Sequence, residues 1–363
     1  MLERSTIDLA RRRYEGFLDS LSDDQLFKLT SSSEVTPYAR CFAIFGCHLL
    51  QCKDRLLTNA DLLAASIRND LDQVRESRRV AGACLNVDKP YLQLLTFSLS
   101  ALLLLNRLEN DPLEDHVLPL LSKDIDADLR IVGAVNGVPR SGNQAMFMAI
   151  LLCHAQSYLD MDVQNSIDNW ERVHLKSINQ FGFWGPYKSM SHLQFQNGYH
   201  QHEAMDYLNT KSVPWENAAD NVAALADRNG HFAPYPGGGG CYDYDAVYIL
   251  TSAGAATVNK YKELLLITAN SILCEQNIDG GCCETHRVRP RSIHNALLSA
   301  KHVYNASGIA RVERLRQMIT LLRPKHDRIH THWSTYSRRW NESDLWDSWF
   351  RMLTVARIDV ALD

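Results

Sequence analysis

Two kinds of helical segment alternate along the chain, and they differ in where their apolar residues lie. The first kind is apolar or small on nearly every side, as in KPYLQLLTFSLSALLLL, which begins at Lys89. The second kind is amphipathic, as in NKYKELLLITANSILCEQ from Asn259, with apolar residues three and four positions apart. A helix that is apolar all round must be buried on all sides, whereas an amphipathic helix covers a core with one face. The alternation therefore predicts two concentric layers of helices.

The buried segments recur at intervals of about fifty residues, the length of two helices and two loops. They begin at Lys89, Asn143, Gln196, Tyr242, Ser292 and Ser343, and an earlier one begins at Thr36. We expect one all-α domain over residues 1–363, an (α/α)6-type toroid whose inner helices point their N-terminal ends at a shared pocket. Residues 86–363 would form the repeats, and residues 1–85 would be helices packed on the ring. An open solenoid of the same hairpins is the structural alternative.

The joints that lead from an outer helix to the next inner helix also repeat. They read NQFGFWGPY (179–187), DRNGHFAPYPGGGG (227–240) and QNIDGGCCE (276–284). Each places glycine beside an aromatic residue or cysteine, at the point where a helix must stop and the chain must reverse. No strand-period alternation of useful length interrupts this pattern.

Composition narrows the class of protein. Hydrophobic residues make up 45% of the 363-residue chain and charged residues 22%, as in an ordinary soluble globular protein. The net charge of −4 gives no reason to expect nucleic acid or an anionic membrane as a partner. No apolar run is long enough for a transmembrane segment, and the N-terminus lacks a signal-peptide core. The nine cysteines are odd in number, so we expect free thiols and a cytoplasmic location.

The joints followed by apolar inner helices resemble the repeats of the terpenoid cyclase and protein prenyltransferase superfamily. QNIDGGCCE in particular resembles the glutamine-to-aromatic repeat of squalene and hopene cyclases. The resemblance covers roughly residues 85 to 360 as architecture. It implies a toroid with a deep pocket at the N-terminal ends of the inner helices, where the helix dipoles would favour anionic groups.

In the cyclases of that superfamily, an Asp-x-Asp-Asp motif opens an inner helix and its middle aspartate protonates an alkene or epoxide. The segment CYDYDAVY (241–248) lies at the corresponding place. The resemblance implies that Asp245 is the proton donor and Asp243 its hydrogen-bonding partner, although Ala246 replaces the third aspartate. Asp243 as a helix cap, with Asp245 merely buried, is the alternative. The tyrosines of this segment would line the pocket: Tyr242, Tyr244 and Tyr248.

Protein prenyltransferases of the superfamily instead carry zinc, bound by aspartate, cysteine and histidine at the starts of inner helices. Cys241 and Asp243 have matching residue types in reversed order, and His294 would open the next inner helix. These ligand types suit zinc. The alternative is that Asp243 is a helix cap and His294 a hydrogen-bonded core histidine. No cofactor other than zinc is expected.

One inner segment is unusually rich in polar groups. QNGYHQHEAMD (196–206) places Tyr199, His200, His202, Glu203 and Asp206 on one helix. Tyr199 and Glu203 are four residues apart, as are His202 and Asp206, so each pair can interact. Such groups are costly to bury without a use. They form either a second catalytic centre, of the type used by toroidal polysaccharide lyases, or a hydrogen-bond network that fixes the ring.

Two further groups belong to the same predicted pocket mouth. Arg287, Arg289 and Arg291 could clamp a diphosphate or carboxylate, or form a solvated basic loop. Trp346 and Trp349 would stand near the start of the last inner helix, where aromatic faces could stabilise a carbocation or stack on a sugar. Alternatively, both tryptophans seal the ring by packing against the first repeat.

The sequence therefore predicts a terpene cyclase-like enzyme that performs acid-initiated cyclisation or isomerisation of an isoprenoid or similarly apolar small molecule. An anionic group on the substrate would suit the arginines and the helix ends at the pocket mouth. A carbohydrate-active lyase or hydrolase that uses His200, His202, Tyr199 and Glu203 is the first rival. A scaffold that kept the ring and lost its chemistry is the second, and Ala246 favours it.

Overall fold

The computed structural model describes residues 2–23, 26–52, 54–121, 129–139, 141–211, 213–288, 291–321, 328–330, 337–339 and 341–363. Within these residues the chain is built from helices, and the strands are limited to two short antiparallel pairs. Those strands are β1 (Ser22–Asp23), β2 (Leu26–Phe27), β3 (Arg328–His330) and β4 (Ser337–Arg339). The predicted all-α toroid is confirmed.

Six helices form a closed inner ring in which each packs against the next, and the last packs against the first. In ring order they are α2 (Pro37–Leu49), α5 (Lys89–Leu104), α8 (Ser141–Tyr158), α10 (His192–Tyr207), α12 (Gly240–Ser252) and α17 (Leu345–Leu362). Their buried residues lie on nearly all sides, as the sequence pattern predicts.

A second layer of helices packs outside this ring. Its members are α1 (Arg4–Ser20), α4 (Ala60–Val80), α7 (Leu129–Val135), α9 (Gln164–Lys176), α11 (Trp215–Ala223) and α14 (Lys262–Cys274). Helix α1 packs against α14, α17 and α2, so the first helix of the chain closes the outer layer beside the last. The shorter helices are α3 (Asp54–Leu57), α6 (Glu114–Val117) and α13 (Ala255–Lys260), and a 3-10 turn covers Leu118–Leu120.

Two expectations about the repeats differ from the structure. The segment from Ser292 is not an inner helix: α15 (Ile293–Tyr304) pairs with α16 (Gly308–Leu321) as a hairpin outside the ring. Residues 1–85 are not an addition to the ring either, because α2 supplies an inner helix and α1 and α4 supply outer ones. A spacing of about fifty residues does not distinguish an inserted hairpin from a true repeat, since both are two helices long.

Side-chain caps fix the start of five helices in the described part of the chain. Thr36 accepts a hydrogen bond from the Ala39 N–H at the start of α2, and Asp88 accepts one from the Tyr91 N–H at the start of α5. Proline follows each cap within the first turn, where its missing N–H costs nothing. Ser191, Ser292 and Asp344 cap α10, α15 and α17 in the same way.

The three predicted joints share one backbone turn. Asn179, Asp227 and Asn277 each accept a hydrogen bond at the carbonyl from a glycine N–H three residues later, at 3.0–3.1 Å. Those glycines have φ between 75° and 90°, a region that side chains other than glycine rarely adopt. In the joint at 276–284, Gln276 donates to the Ala10 carbonyl at 2.9 Å. That glutamine therefore ties the joint to the neighbouring outer helix, α1.

Candidate active site

The six inner helices enclose a central space, which we call the lumen. On α10 the residues with accessible surface recur every three or four positions, whereas those between them are buried. Neighbouring inner helices and the outer layer cover the other sides, so this stripe faces the ring axis. Burial raises the pKa of Tyr207 to about 12 although 65% of its surface is accessible. The raised pKa and the high accessibility are compatible because the accessible surface of Tyr207 lines a recess that the protein encloses.

Aromatic rings from five inner helices meet around the lumen. Trp346 and Trp349 of α17 contact Phe42 of α2, with ring centroids 5.1 and 5.6 Å apart. Both tryptophans remain partly accessible, so they close the ring between its last and first inner helices and also face the lumen. The aromatic wall continues on neighbouring helices through Phe97, Phe350, Tyr244, Tyr248 and Tyr199.

Asp245 lies on α12 and is 2% exposed. Within the described part of the chain, no side-chain hydrogen bond to its carboxyl group is found. Burial raises the pKa of this carboxyl well above its ordinary value, and the neighbouring acids Glu203 and Asp243 raise it further. Both effects favour the protonated form of the carboxyl. The surroundings of Asp245 thus favour the form that a general acid requires.

A second acid faces the same space from α10. Burial raises the pKa of Glu203 to about 7, while a hydrogen bond from Tyr199 and the charge of Arg357 act in the opposite direction. The predicted pairing of Tyr199 with Glu203 is therefore present. Arg357 stacks its guanidinium over the Tyr248 ring at 4.0 Å and donates to Thr251 Oγ1 at 2.6 Å. Tyr248 in turn donates to the Asp206 carboxylate.

Asp243 does not hydrogen-bond to Asp245 as the resemblance implied. Its Oδ2 accepts from Nδ1 of His231 at 2.7 Å, and its Oδ1 accepts from the Phe232 N–H at 2.9 Å. Both side chains are fully buried. Burial lowers the pKa of His231, but the charges of Asp243 and Glu275 outweigh it and raise the value to about 9. His231 is thus a cation that holds the Asp243 carboxylate, a partner that the sequence analysis missed.

The ion-pair network continues away from the lumen. Nε2 of His231 lies 3.3 Å from Oε2 of Glu275, which is also 3.3 Å from Nη1 of Arg351. Arg287 donates to Oε1 of the same glutamate, from Nε at 2.9 Å and from Nη2 at 2.5 Å. These cations hold the pKa of Glu275 at about 2 although burial alone would raise it. Alternating charges thus compensate one another behind Asp245.

The two predicted catalytic histidines have different positions. His202 is fully buried between the layers, with its ring 4.8 Å from Trp184 and 5.3 Å from Trp215. Its Nδ1 hydrogen-bonds to the Gly198 carbonyl at 3.1 Å, so it faces away from the lumen. His200 lies in the lumen-facing stripe, and burial together with Lys89 lowers its pKa to about 3. It is therefore a neutral imidazole near pH 7.

The arginine clamp is not assembled. Arg287 is committed to Glu275, Arg291 is exposed at the start of the α15 hairpin, and Arg289 lies outside the described residues. The proposed zinc ligands are not grouped either. His294 is exposed on α15, and burial raises the pKa of the Cys241 thiol well above its usual range, which favours the neutral thiol. The geometry of Cys241, Asp243 and His294 therefore gives no support to a zinc site.

Across the described ranges, one group of three potential metal ligands is found, at Asp72, Asp115 and His116. Arg75 already lies 2.6 Å from Asp72 and 3.0 Å from Asp115. Arg68 adds a further contact to Asp115 at 2.6 Å. Arginines thus compensate the carboxylates, which makes this group an ion-pair network on the outside of the ring.

No helix among the described residues has the length and apolar character needed to cross a bilayer.

Comparisons with known proteins concern the fold alone. No protein-family model matches the chain, and no curated protein sequence matches it. The fold is similar to that of the type II terpene cyclase MstE from Scytonema in its apo form. The TM-score is 0.48 and the sequence identity 11%, over 99% of this chain and 99% of that chain. A likeness at this level carries no inference about activity, so the chemistry of the chain rests on its own side chains.

Proposed function

We propose that this chain is an enzyme that cyclises or isomerises an isoprenoid or similarly apolar small molecule, with Asp245 as the acid that starts the reaction. The observation that carries the proposal is the Asp245 carboxyl itself. It is buried beside an aromatic lumen, and burial and neighbouring acids keep it protonated. An acid held neutral in this way can deliver its proton to a carbon–carbon double bond or an epoxide oxygen.

The rest of the lumen suits the cation that such a protonation creates. When Asp245 gives up its proton, the substrate becomes a carbocation and Asp245 a carboxylate. The rings of Tyr199, Tyr244 and Tyr248 pack against one another with centroids 5.7–6.4 Å apart. Tyr199 and Tyr244 lie close enough to Asp245 for its charge to act on them, and aromatic faces attract cations. The reaction ends when a C–H bond of the cation breaks, its electron pair forms a carbon–carbon double bond, and its proton returns to the Asp245 carboxylate. The acid is thereby restored, and the neutral product has unchanged mass.

The ion-pair network supports Asp245 without touching substrate. His231 and the Phe232 N–H hold the two carboxyl oxygens of Asp243. Its negative charge, two residues from Asp245, disfavours a second carboxylate nearby. Asp243 is therefore a positioning residue in this proposal, and His231 acts through it.

A second candidate function follows from the pairing of Tyr199 with Glu203. A carboxyl with a pKa of about 7 next to a tyrosine could remove a proton beside a uronic acid carboxylate, which Arg357 would neutralise. This lyase would use Glu203 and Tyr199. His202 has no part in it because that ring is packed between the layers.

Product analysis distinguishes the proposed cyclase from the lyase. The full chain is incubated with linear polyprenols, their terminal epoxides and, separately, polyuronates. The proposal expects cyclic isomers of the polyprenoid probes, and Asp245→Asn should lower their formation by about 10²–10⁴-fold while Asp162→Asn, an exposed control, has no effect. Uronate cleavage that survives Asp245→Asn and is lost in Glu203→Gln would replace the cyclase with the lyase.

A further inference from the structure

The α15–α16 hairpin is attached firmly to the N-terminal end of α10. The Glu313 carboxylate accepts from the His192 N–H at 2.7 Å and from the Leu193 N–H at 3.2 Å. Arg314, which is 3% exposed, donates to the Leu225 carbonyl at 2.8 Å. One side of the hairpin is therefore fixed over the mouth of the ring, and its opposite side faces outward.

That outward side is apolar to a degree found nowhere else on the described surface. Seven of the twenty large exposed hydrophobic residues that the described chain contains lie between positions 293 and 319, which is far more than an even distribution would give. On α15 they include Ile293 at 83%, Leu297 at 65% and Tyr304 at 78% exposure. The remaining four on α16 are Ile309, Val312, Leu315 and Ile319. Their spacings of three, four and seven residues place them on one side of each helix. A concentration of exposed apolar residues of this kind marks an interaction site.

The charges on the same hairpin have one sign. Its exposed charged residues are all basic, namely Arg291, Lys301, Arg311 and Arg316. The one acid within residues 291–321 is Glu313, which is engaged at the start of α10. The net charge of the whole chain is −4, so this basic character is local. A net charge averaged over the whole chain hides such a local concentration of basic residues.

We propose that the outward face of the α15–α16 hairpin binds the surface of a lipid bilayer that carries anionic headgroups. Amphipathic helices with an apolar face flanked by lysine and arginine lie in the membrane interface, and anionic lipid attracts the basic side chains. A second copy of the chain fits the face poorly, because two such hairpins would bring like charges together. The proposal stands independently of the reaction in the lumen.

Vesicle flotation tests the proposed membrane binding of the hairpin. The full chain is mixed with vesicles of phosphatidylcholine alone, or of phosphatidylcholine with phosphatidylglycerol, at low and high salt. The expected result is flotation with the anionic vesicles that weakens with salt. The fourfold variant Ile293→Ser, Leu297→Ser, Val312→Ser, Ile319→Ser should lower the partition coefficient by about tenfold or more. A matched variant with serine at Leu62, Val80, Val87 and Ile278, exposed apolar positions elsewhere, should float like the natural chain.

A second set of variants tests the contribution of the basic residues to vesicle binding. Arg291→Gln, Lys301→Gln and Arg316→Gln together should weaken binding to anionic vesicles by about fivefold for each charge removed, whereas Arg12→Gln, Arg79→Gln and Lys262→Gln should not. Failure of the natural chain to float, or equal losses in patch and control variants, would overturn the proposal. So would sedimentation showing a dimer that the fourfold variant converts to a monomer, since the face would then be a self-association surface.

Discussion

Nδ1 of His231 lies 2.7 Å from Oδ2 of Asp243, and both side chains are fully buried. The pair joins a loop that leads out of α11 to the first turn of α12, the helix that carries Asp245. It therefore fixes how the acid helix enters the ring. Removing one partner leaves a buried charge without compensation, which typically costs 3–5 kcal/mol.

The first prediction concerns the pH dependence of this pair. The pKa of His231 is raised from 6.5 to about 9 in the folded chain. Its contribution to stability is therefore complete below pH 6.5 and is lost as pH rises through 9, with a total of about 3 kcal/mol. Urea unfolding at pH 6.5 and pH 9.5 measures it. In His231→Gln, the loss of stability over that interval should be largely absent, and an unchanged pH dependence would contradict the assignment.

The second prediction concerns Asp245 and stability. Burial and Glu203 raise the pKa of Asp245 in the folded chain above its unfolded value of 3.8. The contribution of Asp245 to stability is therefore fully present below pH 3.8, and it is lost as pH rises from there toward the folded pKa. At pH 7 the carboxyl therefore opposes folding, by about 1.4 kcal/mol for each pH unit between the unfolded pKa and the folded pKa, or between the unfolded pKa and pH 7 where the folded pKa is higher. Asp245→Asn should raise the free energy of unfolding at pH 7 but not at pH 3. Destabilisation at pH 7 would mean that the carboxylate is held by partners.

The third prediction separates the two histidines of α10. His202→Ala empties a site enclosed by Phe183, Trp184 and Trp215, so we expect a loss of about 2–4 kcal/mol in the free energy of unfolding. His200→Ala removes a lumen-facing ring and should cost below about 1 kcal/mol. Thermal and urea unfolding of both variants give the comparison. Equal costs would place both rings between the layers.

The fourth prediction concerns the joint turn. A methyl group at Gly280, whose φ is +90°, would lie 2.1 Å from the Arg13 carbonyl oxygen of α1. Gly254 has φ of +91° and ψ of 171° with open space around it, so Gly254→Ala isolates the backbone cost, about 1–3 kcal/mol. Gly280→Ala should cost clearly more, because α1 must also move. Similar unfolding energies for the two variants would show that the joint does not brace the outer layer.

Much of the fold could be predicted because it depends on periodic patterns. The apolar segments from Lys89 and Ser343 are inner helices, and the glycines of the joints occupy the predicted reversals. The segment from Ser292 was misplaced because its helix is as long and as apolar as an inner one. Only its packing shows that its apolar stripe faces outward.

The site was harder to predict because it depends on orientation. His202 and Asp206 are four residues apart and share a helix face in sequence, yet the tryptophans of the outer layer hold the His202 ring between the layers. The pairing of His231 with Asp243 crosses a glycine-rich loop of variable path, which no spacing rule predicts. The signal that could have suggested it is a histidine in the joint directly before an acidic helix start.

The central claim is that Asp245 holds its proton in the lumen at neutral pH. Carbon-13 NMR of protein labelled at aspartate carboxyl carbons measures this directly, and the Asp245 signal is the one that Asp245→Asn removes. The account predicts that this signal keeps the chemical shift of a protonated carboxyl at pH 7, well above the ordinary aspartate pKa of about 3.9. A signal that titrates near that ordinary value, leaving a carboxylate at pH 7, would contradict the account.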